Sequence, residues 1–208
     1  MAGATAALAA EGISHTLDTS AFSALEKDIV QEAFALTVDY IPYRLRSKFD
    51  QSQLAGLPRG YLIPHSPSTS ENKLRSLASH MEAEYPDLFE TACTKLGITP
   101  ATARSTFFSV AKEIFQTGIN WGRIVALFTF GGVVAHHFIE SERPEMVPHV
   151  VEWIPSFIAD NLLSWIMENG GWDGFVKYFS ESSQTVWKSI FAVGGFCAAG
   201  ITLLALSK

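Results

Sequence analysis

A single arginine at the edge of a long apolar stretch offers the clearest chemistry in this sequence. Arg123 precedes a 12-residue apolar run, 124–135, that only Thr129 interrupts. A guanidinium carries its N–H donors in a planar fork, and that geometry matches a carboxylate. We therefore expect Arg123 to pair with an acid. Two kinds of partner stay open at this point: an acid of the chain itself, such as Glu113, or the carboxylate of a ligand.

Signatures of catalysis and of metal binding are absent from the sequence. It contains no GxSxG, CxxC, GxxxxGK[ST] or HExxH pattern, and its carboxylates are scattered. His136 and His137 are adjacent on a predicted helix, so their side chains point about 100° apart and cannot chelate one metal ion together. We therefore predict a protein that is not an enzyme and that holds no metal and no cofactor.

The composition indicates one folded, acidic domain. Of the 208 residues, 48% are hydrophobic and 17% are charged, against roughly 25% charged in an average domain. The formal net charge is −6, which argues against a nucleic-acid binder, because such proteins need a basic face. Cys93 and Cys197 are too few for a disulfide framework.

Helices are the elements that must position this arginine. Ser23 and Glu26 match a capping box at the start of a first helix, which Pro42 should kink or end. Residues 47–70 are rich in proline, glycine and serine and predict a loop. Ser70 can then cap a second helix.

The second half of the sequence predicts further helices around a buried centre. Thr99 and Pro100 are typical of an N-cap and a first helical residue, and that helix should stop at Gly118. Asn120 should cap the next helix, whose apolar run 124–135 is too short to span a bilayer and suits the middle of a bundle. The remaining predicted helices cover 87–96, closed by Gly97, then 147–167, and 172–179 after a glycine stop at 169–171. These patterns predict an all-α bundle of about eight helices around a hydrophobic central hairpin.

The last segment predicts a C-terminal transmembrane anchor helix. Residues 190–206 are 17 residues without a charge between Lys188 and Lys208, and Trp187 stands where an interfacial aromatic belongs. As a helix this segment would reach roughly 26 Å, slightly less than the roughly 30 Å hydrocarbon layer. A buried core helix is the alternative. The predicted organisation is a flexible arm at 1–17, a helical domain at 18–186 and an anchor at 187–208, with Ile190, Phe191, Phe196, Ile201, Leu203 and Leu204 facing lipid.

Two motifs in this sequence resemble those of a known protein family. Residues 113–132 (EIFQTGINWGRIVALFTFGG) closely resemble the first homology motif of the Bcl-2 family of apoptosis regulators, and 165–175 (WIMENGGWDGF) resemble the second. Residues 38–45 are similar to the weaker fourth motif, and 74–85 fall where the third motif, the BH3 helix, belongs. The resemblance extends over about 23–208, and the tail matches the membrane anchor of the family.

The resemblance implies a Bcl-2-type bundle that binds BH3 helices of pro-apoptotic partners. In the family, four apolar side chains of the incoming helix enter a hydrophobic groove, and its aspartate pairs with the arginine that corresponds to Arg123. The groove would consist of Met81, Tyr85, Phe89, Val110, Glu113, Ile114, Asn120, Trp121, Gly122, Arg123, Val125, Ala126, Phe130 and Phe179. The resemblance also implies that the tail anchors the protein in the mitochondrial outer membrane or in the endoplasmic reticulum, with the domain facing the cytosol. Part of the protein could instead be cytosolic. The chain could form a dimer with a second copy of itself or with a relative. We expect no nucleic-acid partner.

The BH3-like helix of the chain itself departs from the family pattern. It comprises Leu74, Leu77, Ala78, Ser79 and Met81, and Ser79 stands where the family places an aspartate. Without that carboxylate the helix cannot form the charge pair with the arginine of another groove. Losing one member of a buried pair costs about 2 to 5 kcal/mol. The helix should therefore be a poor ligand, unless a phosphate on Ser79 supplies the missing charge.

This departure favours a protective member, which receives BH3 helices and blocks permeabilisation of the mitochondrial outer membrane. Killer members of the family donate their own BH3 helix, whereas protective members mainly need the groove. Two alternatives stay open. One is a pore-forming executor of the same fold, and the other is a tail-anchored adaptor whose groove is permanently filled by its own C-terminal helix.

Overall fold

A computed structural model describes residues 23–63 and 65–181. Within them the chain forms eight α-helices and no β-strand. The helices are α1 (Ala24–Arg46), α2 (Thr69–Glu84), α3 (Pro86–Lys95), α4 (Ala103–Phe115), α5 (Trp121–Glu140), α6 (Val147–Asn161), α7 (Leu163–Glu168) and α8 (Gly171–Glu181). Two short 3-10 helices, Arg59–Leu62 and Pro144–Met146, lie in the connections. This architecture confirms the predicted all-α bundle, while the arm at 1–17 and the anchor at 187–208 lie outside the described residues.

Helix α5 forms the centre of the bundle. It packs on α1, α2, α3, α4 and α6, and 17 of its 20 residues are buried. Its length and composition would allow it to cross a membrane, although 89% of its most apolar 18-residue window is buried by the rest of the protein. The 124–135 run was expected to be too short to span, but the helix that contains it is longer. Helix α6 packs on both α1 and α5 and completes the predicted central hairpin.

Two adjacent glycines allow other helices to approach the backbone of α5 closely. A Cβ atom added at Gly131 would lie 2.4 Å from Cδ1 of Ile154 on α6. A Cβ atom at Gly132 would lie 2.6 Å from Cδ of Arg44 on α1. Both distances are below van der Waals contact, so a larger residue at either position would require the facing side chain of Ile154 or Arg44 to move.

The first helix begins as predicted and extends further than predicted. Ser23 Oγ accepts the N–H of Glu26 at 3.4 Å, and Glu26 Oε2 accepts the N–H of Ser23 at 2.6 Å, which confirms the capping box. The helix does not end at Pro42, because it continues to Arg46. The proline removes one backbone hydrogen bond, but this section of α1 is packed into the core, and that packing keeps the chain helical.

Two predicted helix starts are displaced along the chain. Ser68, not Ser70, caps α2, since Ser68 Oγ accepts the N–H of Glu71 at 3.2 Å. Ser70 instead lies inside the first turn and donates a hydrogen bond to Glu32. The helix expected at Pro100 begins only at Ala103, because the preceding residues form a hydrogen-bonded turn.

The helix predicted over 147–167 is two helices. Leu162 leaves helical geometry with φ −122° and separates α6 from α7. Asn161 Nδ2 donates to the carbonyl oxygen of Phe157 at 3.0 Å, and such a local side-chain bond competes with helix continuation. The glycine stops are confirmed at Gly97 (φ +58°) and Gly170 (φ +84°), where an L-residue with a side chain would be strained.

Candidate functional site

The turn between α4 and α5 positions Arg123. Gly118 adopts φ +117° and reverses the chain after α4. Asn120 then caps α5 from an extended conformation, and its Oδ1 accepts the backbone N–H of Arg123 at 2.9 Å. The predicted cap is confirmed. It fixes Arg123 as the third residue of α5, next to the reversal.

The side chain of Arg123 folds back over this turn. Its Nη1 donates to the carbonyl oxygen of Gly118, and its Nη2 donates to Oγ1 of Thr117. Arg123 is 6% exposed, whereas Thr117 and Gly118 are exposed, so the guanidinium lies at the rim of the bundle. Among the described residues no ion pair joins Arg123 to Glu113, which removes that internal acid as its partner in this structure.

Helices α3 and α4 form two walls over a common floor. Each packs on α5, and little direct contact joins the two across the described part of the chain. Helix α2 packs on both α3 and α5. We name the region between these two helices, over α5, the α3–α4 cleft; its apolar lining side chains are buried in this structure. The Arg123 turn connects one wall to that floor.

The residues predicted for the groove divide into a buried group and a partly buried group. Six belong to the walls and the floor and contribute apolar side chains that are at most 5% exposed. A BH3 helix could reach these side chains only after a rearrangement that exposes them. The buried residues are Met81, Phe89, Val110, Ile114, Trp121, Gly122, Arg123, Val125, Ala126 and Phe130; the partly buried ones are Tyr85, Glu113, Asn120 and Phe179.

The tryptophans of the two family motifs pack against each other in a structural cluster. The ring of Trp121 lies 5.0 Å from that of Trp165, 5.6 Å from Phe175 and 6.0 Å from Trp172. Trp172 Nε1 also donates to the carbonyl oxygen of Ile29 at 3.0 Å. This cluster holds α7 and α8 against α1 and the start of α5. The contacts give Trp121 a core role, despite its assignment to the groove by resemblance.

Phe130 and Phe179 also have described packing partners. The ring of Phe130 stacks on Phe107 of α4 at 5.7 Å. The ring of Phe179 contacts Phe175 at 5.3 Å and Tyr178 at 5.0 Å, all on α8. Phe130 therefore joins the floor to one wall of the α3–α4 cleft. The described ring contacts of Phe179 stay within its own helix.

A row of polar contacts between α1 and α2 has no counterpart in the sequence-based predictions. We define the α1–α2 seam as three pairs, Glu32–Ser70, Asp39–Arg75 and Arg44–Glu82. Their members are separated by 36 to 38 residues in the chain, so the two helices run in parallel at nearly constant register. The seam fixes the BH3-like helix α2 beside α1.

The third pair of the seam is the most extensively bonded. Arg44 Nε and Nη2 donate to the two oxygens of Glu82 at 2.7 and 2.8 Å, and Nη1 donates to the carbonyl oxygen of Gly132 at 3.0 Å. Tyr40 donates to Glu82 at 3.2 Å. Burial raises the pKa of Tyr40 well above its usual value, and the charge of Glu82 adds to that effect. The Tyr40 hydroxyl is therefore a donor at all physiological pH values.

In the first pair of the seam, the surroundings of Glu32 disfavour its charged form. Burial raises the pKa of Glu32, the hydrogen bond from Ser70 lowers it, and the charges of Asp173 and Glu71 raise it again. The net direction is upward. The charges of Asp173 and Glu71 therefore add to the effect of burial on Glu32.

Comparisons with known proteins place this geometry among related structures. A family profile described as "Apoptosis regulator proteins, Bcl-2 family" matches residues 74–172. The crystal structure of Trichoplax adhaerens trBcl-2L2 bound to trBak BH3 is similar over 71% of this chain and 99% of that chain, with 33% identity and a TM-score of 0.60. The crystal structure of chicken BOK is similar over 73% of this chain and 96% of that chain, with 27% identity and a TM-score of 0.61.

Human Bcl-2-like protein 1 is similar in sequence. It is 36% identical over 138 residues, which are 63% of this chain and 59% of the human protein. The matched region thus spans somewhat more than half the length of this relative. The range that the family profile matches, 74–172, includes the Arg123 turn and the helices of the α3–α4 cleft.

Proposed function

The chain belongs to the Bcl-2 family of apoptosis regulators, and from this we propose that it is an anti-apoptotic member. It would bind BH3 helices of pro-apoptotic partners in the α3–α4 cleft and block permeabilisation of the mitochondrial outer membrane. The role is binding rather than catalysis. The observation that supports the proposal is that Arg123 lies in the first turn of α5, directly after the reversal from α4.

The guanidinium of Arg123 can pair with the carboxylate of a ligand. The two hydrogen bonds described for its guanidinium end on neutral oxygens, those of Gly118 and Thr117. A hydrogen bond to an ionised acceptor is roughly twice as strong as one between neutral groups. The ionised aspartate of a BH3 helix would form such a charge-assisted pair with the guanidinium, without unfolding the turn that Asn120 caps.

The walls and the floor of the cleft provide the apolar part of recognition. Helix-in-groove binding places apolar side chains of an amphipathic helix, spaced by three or four residues, into pockets. Phe89 lies on one wall, Val110 and Ile114 lie on the other, and Val125 and Ala126 lie on the floor. After the rearrangement that opens the cleft, the apolar side chains of the ligand helix leave water, and their burial contributes about 25 cal/mol per Å². The Trichoplax neighbour that has a BH3 segment bound supports this class of partner.

The α1–α2 seam supports the receiving role over the donating role. The apolar face of the BH3-like helix, Leu74, Leu77, Ala78 and Met81, is buried in the bundle. Donating α2 to a neighbour would expose this face and break all three pairs of the seam. Ser79 is exposed and offers no carboxylate to another groove. Both features disfavour release of α2.

One observation speaks for the executor alternative. Helix α5 is long and apolar enough to cross a membrane, as a pore-forming helix must be. Its burial in the centre of the bundle requires the fold to open before any insertion. Leakage of dye from liposomes separates the two functions. An executor makes liposomes leak by itself after activation by a BH3 peptide, whereas an anti-apoptotic member suppresses leakage that another protein causes.

A panel of BH3 peptides tests the proposed binding site. Calorimetry would measure their affinity for the full chain and for a chain without residues 187–208. We expect both forms to bind. Binding only after removal of these residues indicates the adaptor whose cleft is filled by its own tail, and no binding by either form contradicts the proposal.

The proposed location follows from the resemblance and from the tail. We propose that residues 187–208 anchor the protein in the mitochondrial outer membrane, or in the endoplasmic reticulum, with the domain in the cytosol. Fractionation of cells that express the full chain or the chain without these residues tests this. Extraction of the full chain by alkaline carbonate contradicts insertion, because inserted proteins stay in the pellet.

A further inference from the structure

Three potential metal ligands from different parts of the chain meet beside the α1–α2 seam. Asp39 comes from the middle of α1, His65 from the loop before α2, and Glu71 from the first turn of α2. One ligand atom of each lies within 4.8 Å of the others. Because they are distant from one another in the chain, no ligand spacing in the sequence reveals them.

Both distances from the histidine nitrogen to the carboxylate oxygens are close to those around a tetrahedral ion. His65 Nε2 lies 3.1 Å from Asp39 Oδ1 and 3.5 Å from Glu71 Oε2. Ligand atoms bound at about 2.0 to 2.2 Å in a tetrahedron lie about 3.4 Å apart. One imidazole nitrogen and two carboxylate oxygens form a three-ligand set that leaves a fourth position for water.

Both carboxylates are already oriented by other donors. Arg75 Nε donates to Asp39 Oδ2 at 2.8 Å, and Arg75 Nη2 donates to Oδ1. The backbone N–H of Ser68 donates to Glu71 Oε2 at 2.6 Å. Outer donors of this kind hold the ligands of a metal site in position and are part of its affinity.

The surrounding charges and the exposure allow a cation to enter. Asp39 and Glu71 carry two negative charges, Glu32 lies near Glu71, and Arg75 is paired with Asp39. Arg46, which is also near Asp39, directs Nη1 to the carbonyl oxygen of Tyr61 at 2.8 Å. The side chain of His65 is 35% exposed, whereas that of Asp39 is 1% exposed. The site therefore opens to solvent through the histidine.

We propose that Asp39, His65 and Glu71 form a binding site for one divalent transition-metal cation of the zinc class. The imidazole favours such ions over Mg²⁺ and Ca²⁺, which take oxygen ligands. The bound ion connects the loop before α2 to both helices of the seam. It thereby stabilises the first turn of α2 against α1, and this consequence does not depend on the proposed function.

Titration of the full, chelator-treated chain with ZnCl₂ at pH 7.5 tests the site. We expect one equivalent to bind by calorimetry and the melting temperature to rise, because a ligand that binds only the folded state stabilises it. Hydrogen exchange of the first turn of α2 should slow when zinc is present. MgCl₂ should have no effect.

Three variants assign the binding to these residues. His65→Ala removes one ligand, and Glu71→Gln removes an anionic ligand while its amide oxygen can still cap Ser68. We expect each to weaken zinc binding at least tenfold. His149→Ala removes an exposed histidine on α6 and should leave binding unchanged. Absence of zinc binding by the full chain, or equal affinity in the His65 and Glu71 variants, would overturn the proposal.

Discussion

Replacing Glu82 with alanine should destabilise the bundle more than the loss of a surface ion pair would. Glu82 receives two hydrogen bonds from Arg44, at 2.7 and 2.8 Å, and one from Tyr40 at 3.2 Å. Arg44 is 8% exposed. After the substitution its charge stays buried, with the Gly132 carbonyl as the remaining partner described for it.

The expected size follows from the burial of both partners. Breaking a buried ion pair by removing one member costs about 3 to 5 kcal/mol. The side chain of Glu82 is 18% exposed, so we expect the lower end, about 3 kcal/mol of the free energy of unfolding. For a chain of this size that corresponds to a melting temperature lower by roughly 6 to 12 °C.

Urea denaturation of a double-mutant cycle measures the pair itself. The variants are Glu82→Ala, Arg44→Met and the combination of both. Because the double variant removes both charges of this pair, it should be more stable than the sum of the single effects predicts, by about 1 to 3 kcal/mol. Glu145→Ala is the control, since its pair with Arg143 is largely exposed and should contribute at most about 1 kcal/mol. A cost below about 1 kcal/mol for Glu82→Ala, or purely additive effects, would refute the reasoning.

Three further predictions concern other parts of the bundle. Trp172→Phe removes the hydrogen bond to the Ile29 carbonyl at 3.0 Å and reduces the packing of the ring on Trp121 and Phe128, so it should cost about 1 to 3 kcal/mol by denaturant unfolding; an unchanged midpoint contradicts this. Burial, together with the charge of Arg44, lowers the pKa of His136, so the unfolded chain binds this proton more readily. The contribution of neutral His136 to the free energy of unfolding is therefore present above about pH 6.5 and is lost as the pH falls below that value. His136→Phe should make the free energy of unfolding depend less on pH in this range, and identical pH profiles of the two proteins would exclude the effect. Burial raises the pKa of Cys93 to about 12, so iodoacetamide should modify Cys93 at pH 8 far more slowly in the folded than in the urea-unfolded protein, as peptide mass spectrometry can show; equal rates would show that the thiol is accessible.

Local signals in the sequence determine several helix ends and the arginine turn. Ser23 with Glu26, and Asn120 with the N–H of Arg123, are contacts over three residues, so the sequence alone predicts them. The glycine at 118 likewise marks a reversal by its conformational freedom. For the same reason the position of Arg123 at the start of α5 was predictable.

Contacts between distant residues could not be predicted from these signals. Pro42 remains inside α1 because α1 is packed against the core, which outweighs a local preference. The α1–α2 seam joins residues 36 to 38 positions apart, and no periodic pattern specifies which polar side chains meet. The core roles of Trp121 and Phe130 depend in the same way on α4, α7 and α8. The sequence therefore predicted the apolar character of the site but not how deeply its residues are buried.

The affinity of a BH3 peptide for the full chain and for its Arg123→Ala variant is the most direct test of the proposed recognition. We predict at least tenfold weaker binding, about 1.4 kcal/mol, with circular dichroism unchanged. Arg104→Ala is the matched control, because it removes an exposed arginine of α4 that lies over the Phe108 ring. A peptide in which asparagine replaces the aspartate should bind the unaltered chain more weakly but lose little further affinity for the Arg123 variant. Equal affinities of the unaltered chain and the Arg123 variant for the aspartate peptide would contradict the charge pair between Arg123 and the ligand.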